Sequence, residues 1–169
     1  VEITGELTAR HVHPLVAETL ERWQVVHKVF LCDPEFADTA VFCEKYDYPP
    51  GQAANAIIVA AKTEPVRFAC CMVLAVTKLD VNKKVRSLMD GKKVSFASGE
   101  QTVALTGMQI GGVTPFGLPE IPLYIDSAVM TQAEVVAGGG NRSTKVLLDP
   151  AQLLKLPGAL VVEGLALPR

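Results

Sequence analysis

Several signatures are missing from this 169-residue chain, and each absence removes a class of function. Aromatics are scarce, at 6%, with one Trp and three Tyr. The four cysteines, Cys32, Cys43, Cys70 and Cys71, show no CxxC spacing, and an adjacent pair on a strand points to opposite faces, so no zinc motif is expected. They read as small apolar fillers in a reducing compartment. His11 and His13, near one end, read as solvated rather than as ligands. There is no Walker loop, no GxGxxG and no GxSxG: Ser98 lies in SFASGE, without a positioned histidine partner. No internal repeat and no low-complexity linker interrupts the chain. The charge-free stretch over residues 101–119 carries four glycines and two prolines, which excludes a lipid-exposed helix. The first residues, VEITGELTARHVH, lack a basic start followed by an apolar run, so the expectation is a cytoplasmic protein that is not membrane-bound.

What is present is an ordinary folding load. Val, Ile, Leu and Phe supply 52 of the 169 residues, enough for a core without a metal or disulfide staple, and the net charge is -2. Pro14 suits the first position of a helix over residues 15–23, and residues 25–31 read as a strand. Asp33-Pro34 opens a second helix expected to run to Tyr46, where YPPGQ stops it. NAIIVAAK and VRFACCMVLAV, separated by Thr63-Glu64-Pro65, form a buried hairpin. Asp80 caps a helix ended by Gly91, and KKVSFA returns as a strand. Ser98 and Gln101 make a capping box for a short helix closed by Gly107. Strands follow at residues 123–126, 134–137, 144–148 and 159–163, with Asp149-Pro150 opening a short helix between the last two. The expected fold is α/β (mixed α+β): a single domain over residues 1–169 with one curved mixed sheet of about seven strands and surrounding helices. The irregular order argues against Rossmann and TIM architectures.

Two glycine-dense segments carry the chemical signal: Gly111 and Gly112 before Thr114 and Pro115, and Gly138, Gly139 and Gly140 before Asn141 and Arg142. Glycine lets backbone approach a ligand and aim N–H groups at an oxyanion. Two tight turns are the alternative, though three successive glycines exceed what a hairpin needs. Residues 78–93 hold six basic side chains, among them Lys83, Lys84 and Lys93, against Asp80 and Asp90. Such a face suits docking to a nucleic-acid backbone rather than general DNA binding, or is simply a solvated helix face.

The segments PPGQAANAIIVAAK, FACCMVLAVTKLD, KKVSFASGEQ, LTGMQIGGVTPFGLP, LYID, VVAGGGNRSTKV and DPAQLL together resemble the YbaK/ProX family of aminoacyl-tRNA deacylases, free-standing relatives of the editing domain inserted in bacterial prolyl-tRNA synthetases. The resemblance covers residues 36–156, leaving residues 1–35 as an N-terminal helix and strand extension. It implies the YbaK/prolyl-tRNA synthetase-associated fold and hydrolysis, in trans, of the ester on a mischarged tRNA. The acceptor end of that tRNA is the implied partner, an aminoacyl-tRNA synthetase is a second candidate partner, and no cofactor or metal is required. The family's GxxxP loop matches residues 111–115, which places Gly111, Gly112, Thr114 and Pro115 at the ester. Its small-residue loop matches Gly138, Gly139 and Gly140 at the amino-acid pocket, and Asp126 matches an acidic or amide position. Lys83, Lys84 and Lys93 would contact tRNA.

One departure stands out: the family's strand lysine, in a K-T-L pattern, is Asn55 here. Asn55 can exchange hydrogen bonds with the terminal nucleotide but brings no charge. Lys145, just past the triple glycine, is the candidate replacement cation, unless it is an outward-facing strand lysine. A non-catalytic aminoacyl- or nucleotide-binding module is the alternative function. Which of Phe42, Ile57, Met108 and Ile110 face the pocket is open at this level.

Overall fold

The computed structural model describes the backbone of residues 2–3 and 8–169, with side chains from Arg10 onward. The chain runs β1 (Glu2–Ile3), α1 (Thr8–His11), α2 (Pro14–Arg22), β2 (Lys28–Leu31), a 3₁₀ turn (Pro34–Phe36) and α3 (Thr39–Lys45). Next come β3 (Ala54–Ala61), β4 (Arg67–Leu74), β5 (Thr77–Leu79), a π turn (Val81–Val85), α4 (Arg86–Leu88), β6 (Val94–Phe96) and α5 (Gly99–Thr106). It ends with β7 (Leu123–Asp126), β8 (Val135–Gly138), β9 (Thr144–Leu148), a 3₁₀ helix (Pro150–Lys155), β10 (Ala159–Val162) and β11 (Ala166–Pro168).

The mixed α/β class is as expected, but the strands are arranged differently from a single seven-stranded sheet. They form three ladders: β1-β2-β9-β8, β10-β7-β4-β3-β6, and β11-β5. The second is mixed, because β7 runs parallel to both β4 and β10 while β3 is antiparallel to β4 and β6. The two larger sheets meet at one parallel bridge, Ala53 to Val136.

That junction creates an opening. Along its free side, β3 is paired with β6 from Ala61 back to Val59, and Ala97 N still donates to Ile58 O at 2.9 Å. At Ala53 the neighbour is already β8. Among the described residues, no strand covers residues 55–57 on that side. Ala75 N donates to Ala53 O, so the antiparallel alternation turns the main chain of Asn55 and Ile57 toward β4 and that of Ala56 into the gap.

Apolar residues fill both faces of the five-stranded sheet. Val16, Leu20, Met72, Ile125 and Val146 belong to the core between the two large sheets. Val59, Leu79, Val85 and Leu165 pack on the opposite face. Cys70 and Cys71 divide between these cores as strand alternation requires, and both are free thiols. Burial pushes the Cys71 thiol up to about 12, so it stays protonated.

Local signals fix several termini. Ser98 Oγ accepts from Gln101 N at 3.0 Å while Gln101 Oε1 accepts from Ser98 N at 2.9 Å, and Gly107 closes α5 at φ 70. The expected helix from Asp33 to Tyr46 is instead split. Asp33 caps only the 3₁₀ turn, and α3 restarts after Asp38. The cause is long-range: Lys145 Nζ takes the Ala37 carbonyl, and the Arg142 guanidinium takes the Pro34 carbonyl through two N–H groups. The Pro34 carbonyl also accepts from Ala37 N at 3.4 Å within the 3₁₀ turn, while the Ala37 carbonyl is taken by Lys145 and does not extend a helix ladder. No described helix is long and apolar enough to cross a membrane.

Candidate functional site

The opening beside β3 is the mouth of a cleft of about 330 Å³. Its walls come from α3 (Thr39, Phe42), β3 (residues 54–58), the first glycine loop (Ile110, Gly111, Val113), β8 (Val136 to Gly138) and β9 (Lys145). Phe42, Ile57 and Ile110 therefore face the ligand space, whereas Met108 is buried in the main core.

Lys145 is the dominant charge. Its side chain turns inward from β9, and the residue is only 6% exposed. Nζ donates to Ala37 O at 2.6 Å, lies 3.5 Å from Gly111 O, and sits 5.4 Å from the centroid of the Phe42 ring. Among the described residues no carboxylate forms an ion pair with it. Asp38, on the cleft wall, commits Oδ1 to Arg142 Nη1 at 3.1 Å. Burial lowers the Lys145 pKa below its usual 10.5, Arg142 adds to the lowering, and Cys32, Asp38 and Cys43 oppose it. The result is an ammonium held by carbonyls and a ring face, short of a counter-charge.

Asn55 faces the same cleft from the other sheet. Its Oδ1 accepts from Thr39 Oγ1 at 2.6 Å, which ties α3 to β3 and leaves the amide nitrogen as a donor. With Lys145 it gives the cleft two donors against walls that are otherwise mostly apolar.

The glycines pack the two loops closely together. Gly112 N donates to Gln109 O at 2.9 Å, so this amide is committed inside the loop, and Gly112 O accepts from Gly140 N at 2.7 Å. A Cβ at Gly112 would lie 2.2 Å from Asn141 O, and one at Gly138 would lie 2.6 Å from the carbonyl oxygens of both Gly112 and Val113. At Gly139 it would meet Thr144 Oγ1 at 2.1 Å, and at Gly140 it would meet His13 Cβ at 2.5 Å. The two glycine loops thus pack backbone to backbone on each other and on α2, and only Gly111 and Gly138 of the five reach the cleft wall. His13 is part of this packing: Nδ1 accepts from Leu15 N and Nε2 bonds Gly107 O at 3.0 Å.

Other expected residues lie elsewhere. Thr114 is fully buried and lines no part of the cleft, and among the described residues its Oγ1 has no hydrogen-bond partner. Pro115 lines a separate groove beside Trp23 and Leu160. Asp126, at the end of β7, is 3% exposed and accepts from Leu165 N at 3.1 Å, a structural bond across to the β10–β11 turn. Lys83 and Lys93 are exposed and Lys84 half-buried, on the π turn and the approach to β6, outside the cleft wall.

Sequence reasoning passed over Arg142. It bonds Pro34 O, Asp38 Oδ1 and Ile110 O with its guanidinium, clamping the first glycine loop to the segment before α3. Its place directly after the second glycine loop was the only signal. Among the described residues no group of three His, Cys, Asp or Glu side chains could hold a metal.

Fold and site together define a mixed α/β domain with a small ligand cleft at an open sheet edge, lined by apolar walls and one buried cation. Residues 33–156 match the model of the aminoacyl-tRNA editing domain, and the chain belongs to that family. It is 36% identical over 77 residues to YwhH, an uncharacterized protein of Bacillus subtilis, covering 45% of this chain and 48% of that one. It is 38% identical over 73 residues to proline–tRNA ligase of Bacillus licheniformis, covering 41% of this chain but 13% of the ligase. The matched stretches thus span less than half of each of these curated relatives. Two solved structures share the fold. A hypothetical protein, APE2540, superposes with a TM-score of 0.80 at 22% identity, over 90% of this chain and 99% of that one. A candidate trans-editing enzyme for prolyl tRNA synthetase does so with a TM-score of 0.76 at 25% identity, over 95% and 98%.

Proposed function

We propose that this chain hydrolyses, in trans, the ester linking a wrongly attached amino acid to the 3′ end of a tRNA. The observation that carries the reading is Lys145: a buried ammonium without a carboxylate partner among the described residues, in a cleft whose wall is an open strand edge. Family membership and the likeness to the candidate trans-editing structure support it.

An aminoacyl ester is already activated, so catalysis can consist of orientation and charge stabilisation. Water attacks the ester carbonyl carbon, the carbonyl oxygen becomes an oxyanion, and collapse expels the ribose oxygen, which takes up a proton. The products are the free amino acid and a tRNA with its terminal hydroxyl restored. Lys145 stabilises the developing oxyanion by a charge-assisted hydrogen bond. The Asn55 amide and the Ala56 main chain hold the rest of the aminoacyl group. Phe42, Ile57 and Val136 bound the side-chain space and favour a small, uncharged amino acid. The core at residues 36–156 supplies this machinery, while His13 of the preceding extension braces the second glycine loop. A cytoplasmic location, where charged tRNA is found, follows from the same reading.

Binding without turnover is the second reading, and it draws on the commitment of Gly112 N to Gln109, which removes one amide from any oxyanion hole. A panel of misacylated tRNAs separates the two. Release of amino acid from at least one member supports the hydrolase, and tRNA binding with no release from any member refutes it.

A further inference from the structure

We infer that Phe96 is the platform on which the terminal base of the tRNA 3′ end stacks while its ester lies in the cleft. The inference rests on the editing reading and locates the nucleotide that the reading leaves unplaced.

Phe96 ends β6, the edge strand of the five-stranded sheet, and is 57% exposed. The other aromatic side chains are otherwise occupied. Phe30, Phe36, Phe42, Tyr46 and Tyr48 contact one another as rings, Phe116 is fully buried, Tyr124 is buried, and Phe68 is half-buried against the main core. Trp23 already carries Arg22 over its ring at 5.2 Å, in a groove that also holds Glu18 and Glu120, a poor setting for phosphate. Phe96 is thus an aromatic face left open to solvent on a sheet edge, which a base can cover.

Phe96 is also part of the cleft wall. It lies opposite Val59, and by strand alternation it shares a face with Ile57 and Asn55. Counting along β3, Ala56 is three residues from Val59, roughly 10 Å at the strand rise, which is comparable with one nucleoside. A base on Phe96 therefore leaves the attached ester within the gap at Ala56 and Lys145.

The charge around Phe96 fits the rest of the strand. Lys92 and Lys93 stand four and three residues before it, and Lys62, opposite Lys93, donates its backbone N–H to Lys93 O at 2.8 Å. All three lysines are exposed, and none is in an ion pair among the described residues. An exposed ring followed by lysines along one edge is the arrangement that single-stranded nucleic acid requires: a stacking face, then cations for the phosphates.

The test uses a fluorescently labelled RNA hairpin with a single-stranded ACCA-3′ end, and a second hairpin identical except that its last nucleotide lacks the base. Phe96→Ala should bind the first roughly 5- to 100-fold more weakly than the unmodified protein, with an unchanged melting temperature, and Phe96→Trp should bind it normally. The hairpin without the terminal base should bind both proteins equally and weakly. Equal affinity of Phe96→Ala and the unmodified protein for the complete hairpin overturns the inference. So does a Phe96→Ala loss that persists on the hairpin without the terminal base. If misacylated tRNA is still hydrolysed in that event, only the Phe96 assignment falls; if the unmodified protein neither binds the hairpin nor hydrolyses misacylated tRNA, the editing reading falls with it.

Discussion

Gly139 faces Thr144 so closely that a Cβ on the glycine would sit 2.1 Å from the threonine Oγ1 and 2.9 Å from its Cβ. The second glycine loop is therefore held by side-chain packing within the protein. Gly139→Ala should lose about 1–3 kcal/mol of stability or more, as overpacking does, and lower the melting temperature. Gly51→Ala, whose Cβ would meet nothing within 4 Å, is the matched control and should melt almost normally. Normal melting of Gly139→Ala would show that the loop has room for a ligand there.

Thr114 gives the opposite sign. Its hydroxyl is buried without a partner among the described residues, so Thr114→Val should leave stability unchanged or raise it by about 1–2 kcal/mol, with activity retained. Denaturant melts together with a deacylation assay read both. A loss of activity at normal stability would return Thr114 to the ester, where the sequence motif had placed it.

Asn55 and Lys145 line one cleft from two sheets, so a second cation at position 55 adds repulsion rather than replacing a missing charge. Asn55→Lys should lower kcat/KM. Asn55→Ala, which releases Thr39 of α3 from β3, should cost about 1 kcal/mol of stability. Increased turnover in Asn55→Lys would mean that Lys145 does not serve the substrate.

The depressed Lys145 pKa makes a pH prediction with a definite sign. Between the lowered native value and the unfolded 10.5, the unfolded chain binds the extra proton, so stability rises with pH in that window. The unmodified protein should gain stability relative to Lys145→Met as pH climbs through it. Activity moves the other way: the ammonium is lost above the native pKa, so the alkaline limb of the rate profile, corrected for spontaneous ester hydrolysis, should fall at a lower pH than an exposed lysine would give. Parallel stability curves for the two proteins would place Lys145 in water.

Local chemistry was readable from sequence where it depends on neighbours in the chain. Ser98, Gln101 and Gly107 bounded α5, Asp80 capped the turn beginning at Val81, and the β3–β4 hairpin lay where two β-branched runs flank Thr63-Glu64-Pro65. What was not readable depends on distant partners. The break before α3 comes from Lys145 and Arg142, more than a hundred residues away in sequence. The direction of Lys145 turns on a one-residue register in β9, and the role of the glycines turns on what lies opposite each missing Cβ. Motif matching picked out Gly111, Gly138 and Asn55, and proximity to the triple glycine picked out Lys145; these four line one cleft, but sequence could not tell that Asp126 accepts from Leu165 N.

Single-turnover hydrolysis of the best misacylated tRNA from the panel, with enzyme in excess, tests the Lys145 assignment most directly. Removing a charge-assisted contact of about 1.5–3 kcal/mol should slow Lys145→Met by roughly 10- to 150-fold at saturation, with tRNA affinity little changed. A Lys145→Met protein that remains folded and hydrolyses the ester at the unmodified rate would contradict the account.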